Sequence, residues 1–104
     1  MVISFSHDTA YRHLQNYGYV VTFRADRRER PNCETWANRG RGETKEFDVR
    51  VSEICRTDPL EQDIAVFAPV SGFNSPTKWR NAIRELNGDL SGEGYLYLVT
   101  REGV

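Results

Sequence analysis

Gly18-Tyr19-Val20-Val21-Thr22-Phe23-Arg24 is the stretch on which the fold turns. A glycine suits a helix stop, because it enters the left-handed backbone region with no Cβ to clash. The run Tyr19 to Phe23 is rich in aromatic and β-branched residues, which fit a pleated, half-buried surface, so it reads as a strand that delivers Arg24 at its end. Toward the N-terminus, Ser6, His7 or Asp8 can cap a short helix that runs through Tyr11 and Leu14 to Gly18. Val2 to Phe5 alternates weakly and reads as the strand that opens the sheet.

Toward the C-terminus the pattern changes. Arg24 to Glu43 has no sustained period and holds Pro31, Asn32, Asn38, Gly40 and Gly42, so it reads as a long excursion without a regular element. A loop of about 20 residues in a compact domain is usually functional or disordered, which puts function here. Phe47, Val49 and Val51 then alternate with Asp48, Arg50 and Ser52, one face buried and one wet, in a strand from Glu46 to Ile54. After the Asp58-Pro59 turn, Ile64 to Phe67 is short and apolar and reads as a central strand ended by Pro69. Ser75-Pro76 places a hydroxyl cap before a proline at the first helical position. Trp79, Ala82, Ile83 and Leu86 follow as one stripe at helical spacing, and Gly88 supplies the stop. A Ser91-Gly92-Glu93-Gly94 turn leads into a last strand, Tyr95 to Thr100. The expected class is α+β, with about five strands and two helices.

The 104 residues are expected to form one domain, residues 1–104, with a single modest core. No apolar run approaches the roughly 18 residues of a membrane span, and Met1 to Phe5 lacks a charged n-region and a cleavage site. A cytoplasmic monomer without membrane contact is the expectation. The net charge of -1 hides an uneven distribution. Between Thr22 and Lys45 stand seven basic residues against four acidic ones, while Glu46 to Asp63 holds six acidic against two basic. Of the 14 basic residues 12 are Arg, a bias that suits bidentate phosphate recognition and equally follows from a GC-rich genome.

Little in the chain points to catalysis. His7 and His13 are six apart, about 600° of helical rotation, so they face away from each other and share no metal. Cys33 and Cys55 form neither a C-x-x-C pair nor a zinc knuckle, and read as buried thiols. Asp48 and Glu53 are five apart on a strand, hence on opposite faces, and form no acid/base pair. No catalytic residue, metal or cofactor is assigned. The basic excursion is the stronger candidate. Arg27, Arg28, Arg30, Arg39 and Arg41 lie among turn-forming residues near Trp36, which is either a stacking surface for a base or an apolar anchor on the body. The competing reading is a solvated loop that pairs with its own Asp26 and Glu29.

Taken together, the helix ending at Gly18, the strand ending Thr22-Phe23-Arg24, the variable loop, the alternating strand Glu46 to Ile54 and the Ser71-Gly72-Phe73-Asn74-Ser75 lead into the Trp79 helix resemble the ASCH domains of the PUA-like superfamily. The resemblance covers most of the chain and implies a small mixed β-barrel with flanking helices. It carries Thr22 and Arg24 over as an anion or nucleotide contact in the barrel cleft. The acetylcytidine amidohydrolases of that family place a lysine after the glycine, where this chain has Tyr19-Val20-Val21, and Ala68-Pro69-Val70 stands where their acid is sought. The resemblance therefore implies binding rather than hydrolysis.

The expected function is an RNA- or nucleotide-binding module, with Thr22, Arg24, Arg27, Arg28, Arg30, Trp36, Arg39, Arg41 and Lys45 as the anion-binding set. The alternatives are a small hydrolase of an acetylated nucleoside, using Thr22, Arg24 and a carboxylate from elsewhere, and a protein-interaction module using the acidic segment Glu46 to Asp63.

Overall fold

The computed structural model describes residues 2–40, 42–59, 62–87 and 93–102. Strand β1 (Ile3–Ser4) leads into helix α1 (Asp8–Tyr17), and β2 (Tyr19–Arg24) follows at once. His7 is the residue that caps α1, its Nδ1 accepting the Thr9 N–H at 3.3 Å. Gly18 ends the helix at φ 81°, and its N–H donates to the Leu14 carbonyl, as the sequence predicts.

Five strands hydrogen-bond in the order β1-β3-β4-β5-β2, with β3 Cys33–Asn38, β4 Phe47–Thr57 and β5 Gly94–Arg101. The sheet is mixed: β1 runs parallel to β3, and every other pairing is antiparallel. Its two edges, β1 and β2, are consecutive in the chain and line one cavity, so the sheet curls into a half-barrel with α1 bridging the edges. Ile3, Phe5, Tyr11, Leu14, Val20, Val49, Val51, Tyr97 and Val99 fill the concave side. On the convex side α2 (Gln62–Phe67), a 3₁₀ turn (Ala68–Val70) and α3 (Pro76–Asn87) cover Val21, Phe23 and Leu96 with Ile64, Trp79 and Ile83.

β4 serves both cores because of a bulge. Val49 and Val51 point inward, and a register shift between Glu53 and Cys55 then flips the alternation, so that Cys55 packs with the outer cluster. The lower end of β4 is tied to the outer helices by the Thr57 hydroxyl, which donates to Asp63 at 2.9 Å, and by Arg80 Nε, which donates to the Pro59 carbonyl at 2.7 Å.

Several expectations are corrected. Ile64 to Phe67 is helical: Ile64 and Ala68, one turn apart, are both buried, and a short apolar run has too few residues for its period to separate helix from strand. Part of the excursion is a strand. β3 pairs with β4 from Cys33↔Val51 to Ala37↔Phe47, turning inward the small residues Thr35 and Ala37, which gave no hydrophobic signal. Trp36 on its other face is 42% exposed, so it is no core anchor. Among the described residues there are three α-helices, against the two expected. α3 is capped as expected, Ser75 Oγ accepting the Lys78 N–H at 3.2 Å, but Leu86 at the end of its stripe is 60% exposed. The thiols of Cys33 and Cys55 are free and half-buried. Gly88 and the Ser91-Gly92 part of the last turn lie outside the described residues.

Candidate anion site

Alternation along β2 sends Val21 and Phe23 to the outer core, while Val20 joins the inner one and Thr22 and Arg24 line a cavity between the sheet edges. The cavity holds about 170 Å³. Ser4, Phe5 and Ser6 wall one side, Thr22, Phe23, Arg24 and Ala25 the other; His7 and Ala10 bring the first turn of α1 to it, and Leu86 closes it from α3.

Close approach at the end of β2 holds Arg24 in place. A Cβ on Gly94 would lie 2.2 Å from Phe23 Cζ and 2.7 Å from the Arg24 carbonyl oxygen, so β5 reaches β2 there only as glycine. The Arg24 guanidinium carbon stands 5.1 Å from the centre of the Phe5 ring, and Nε is buried with no hydrogen-bond partner. Among the described residues no carboxylate pairs with it. Burial, and then the neighbouring Arg28 charge, push its pKa down to about 10, against a smaller upward pull from Tyr97. It therefore stays cationic at neutral pH, and a guanidinium buried at Nε with an aromatic face but no counter-charge beside it is costly to keep.

The remaining predicted contacts are dispersed. Arg28 lies close enough to act on Arg24; its N–H donates to the Tyr97 hydroxyl at 2.8 Å, and its Nη1 reaches the Val2 carbonyl at 3.5 Å. Arg27 is taken by Glu53 in a bidentate pair of 2.9 and 3.2 Å. Arg39 donates to the Phe5 carbonyl at 2.9 Å, pairs with Asp8 and lies over the Tyr11 ring at 4.2 Å. Arg39 holds the Asp8 carboxyl below its ordinary value, first through the hydrogen bond and then through its charge. Lys45 pairs with Asp48 at 3.2 Å. Arg30 is exposed, and Arg41 lies outside the described residues. Trp36 lines a separate shallow depression with Glu34, Asp48 and Glu102, whose carboxylates pair with Arg50 and Lys45.

Thr22, Arg24 and Arg28 thus come together, and the rest of the set does not join them. Phe5, Ser6 and His7 were absent from the predicted set. Ser6 and His7 carried a signal as helix-cap candidates and Phe5 as the end of the opening strand, but only the curling of the sheet brings them opposite Arg24.

Ser4, Ser6, Thr22 and His7 line the cavity, but the Ser4 hydroxyl donates to Asn38 Oδ1 at 2.7 Å and His7 Nδ1 accepts the Thr9 N–H at 3.3 Å, so these two are not bonded to each other. The Cys55 thiol is pushed up, chiefly by burial and then by Asp63 and Glu53, which disfavours the reactive thiolate. The described residues contain no cluster of three or more His, Cys, Asp or Glu able to hold a metal. None of their helices is long and apolar enough to cross a membrane. The fold and cavity define an α+β protein built on a curled, five-stranded mixed sheet with a cationic pocket between its edges. Comparison with known proteins gives no match: no family model, no curated protein and no solved structure is similar to the chain.

Proposed function

We propose that the chain is a non-enzymatic RNA- or nucleotide-binding module of ASCH-like type, which takes an anionic group of its ligand into the cavity beside Arg24. The observation that carries this reading is the Arg24 guanidinium, buried at Nε, without a carboxylate partner and lining a cavity. Such a charge disfavours folding and is relieved by an anion that enters from outside. Its position at the end of the strand that follows Gly18 supports the ASCH-like assignment, as does the Gly72-Phe73 lead into the capped helix α3. The hydrolase alternative has no comparable support, because the His7 ring nitrogen Nδ1 is taken up by the Thr9 N–H and the Ser4 hydroxyl by Asn38.

A titration of the isotope-labelled chain with short single-stranded RNA and with AMP, at low and high salt, tests the reading. Amides of Phe5 to Ala10 and Thr22 to Ala25 are expected to shift, and Arg24→Ala is expected to weaken binding without unfolding the domain. Four converging arginines would give a log–log salt slope of about -3 on single-stranded RNA; with Arg27, Arg39 and Lys45 held by carboxylates, a slope of about -1 is expected. Unchanged affinity in a folded Arg24→Ala variant would refute the site.

A further inference from the structure

Resting on that reading, we infer that the cavity selects a terminal phosphomonoester, the phosphate of a free mononucleotide or of a 5′-phosphorylated RNA end, over an internal phosphodiester. Charge is the first reason. The cavity brings the Arg24 guanidinium together with the first turn of the ten-residue helix α1, whose N-terminus carries about half a positive charge. Asp8 in that turn does not line the cavity, and Arg39 neutralises it. With Arg28 close enough to act on Arg24, the positive excess is well above one charge, which matches a phosphomonoester, about -1.5 to -2 at pH 7, better than a diester at -1. Matching matters because residual charge is expensive where water is scarce.

Shape is the second reason. A cavity of about 170 Å³ is near the size that holds a single six-membered ring, and a diester continues from the phosphate in two directions. Phe5, Phe23 and Leu86 make part of the wall apolar, which suits the uncharged group adjoining a terminal phosphate rather than a second charged linkage. The third reason is that the basic residues of β3, β4 and the segments beside them are engaged: Arg27, Arg39, Lys45, Arg50 and Arg56 are each paired with a carboxylate.

The experiment is calorimetric titration of the full chain with AMP, 3′,5′-cyclic AMP, adenosine, and a tetra-adenylate RNA carrying either a 5′-phosphate or a 5′-hydroxyl. Cyclic AMP keeps the base and sugar and changes the monoester into a diester. AMP or the 5′-phosphorylated RNA is expected to bind at least about tenfold tighter than its diester or hydroxyl counterpart. A preference for AMP over the phosphorylated RNA identifies free nucleotide as the source, and the reverse identifies the chain end. Cyclic AMP and 5′-hydroxyl RNA binding as tightly as their phosphorylated counterparts, through Arg24, overturns the inference and leaves the binding module standing. No binding by any of these ligands overturns both. Arg24→Ala and Arg24→Met are both carried through the series, so that one folded variant lacks the charge; retention of the monoester preference in that variant also overturns the inference.

Discussion

Arg24 illustrates how a binding residue opposes the fold that holds it. Its pKa of about 10 lies below the ordinary guanidinium value, so the unfolded chain holds the proton more tightly. The unfavourable contribution is complete at neutral pH and is relieved only as pH rises above about 10. Arg24→Met keeps most of the volume and removes the charge. It is expected to lose anion binding and to gain about 1 kcal/mol or more, raising Tm by about 4–8 °C in a calorimetric scan. Asp8 shows the opposite sign. Arg39 lowers its pKa, so the pair stabilises the fold above the ordinary value of 3.8 and the contribution is lost as pH falls through the lowered one. The side-chain carboxyl titration followed by NMR is expected to move back up toward 3.8 in Arg39→Met.

Among the elements, the β2–β5 contact and the outer helix layer carry the sharpest expectations. Gly94→Ala drives a methyl group into Phe23 and the Arg24 carbonyl, with no flexible side-chain end to yield on the backbone side. A loss of about 3 kcal/mol, at the upper end of the overpacking range, is expected from urea unfolding. The two tryptophans separate core from surface. Trp79 is 3% exposed against Ile83 and the sheet, and Trp79→Ala is expected to cost about 3–5 kcal/mol. Trp36→Ala, on the wet face of β3, is expected to stay within about 0.5 kcal/mol of the parent in the same assay.

In the whole molecule one sheet is the shared wall of two cores. Val20 and Val21 are adjacent in β2, yet one packs in the inner core and the other in the outer. Neither core can melt without exposing the back of the other, so unfolding is expected to be a single transition. Leu14→Ala in the inner core and Ile83→Ala in the outer core are expected to lower the same calorimetric midpoint, with Trp79 fluorescence and far-UV circular dichroism remaining coincident in both. Two separated transitions would show that the layers fold independently.

Elements with local signals were legible from the residues alone. The His7 cap and Gly18 stop bound α1, the aromatic and β-branched run makes β2, the alternation of Phe47, Val49 and Val51 makes β4, and Ser75-Pro76 with the Trp79 stripe makes α3. Each depends on interactions within a few residues, so the chain carries its own evidence. β3 was hidden because its inward residues are small or polar, and they count as core only once β4 lies beside them. α2 was misread because six residues make fewer than two helical turns, and it is Ile64 meeting the outer face of the sheet that favours the helix. The candidate site divides in the same way. Arg24 and Thr22 could be found from the end of a recognisable strand, whereas Phe5, Ser6 and His7 join them because the sheet closes far enough to bring its first and last strands together. That closure depends on twist, a bulge at Glu53–Cys55 and pairings between residues tens of positions apart, which no local pattern encodes.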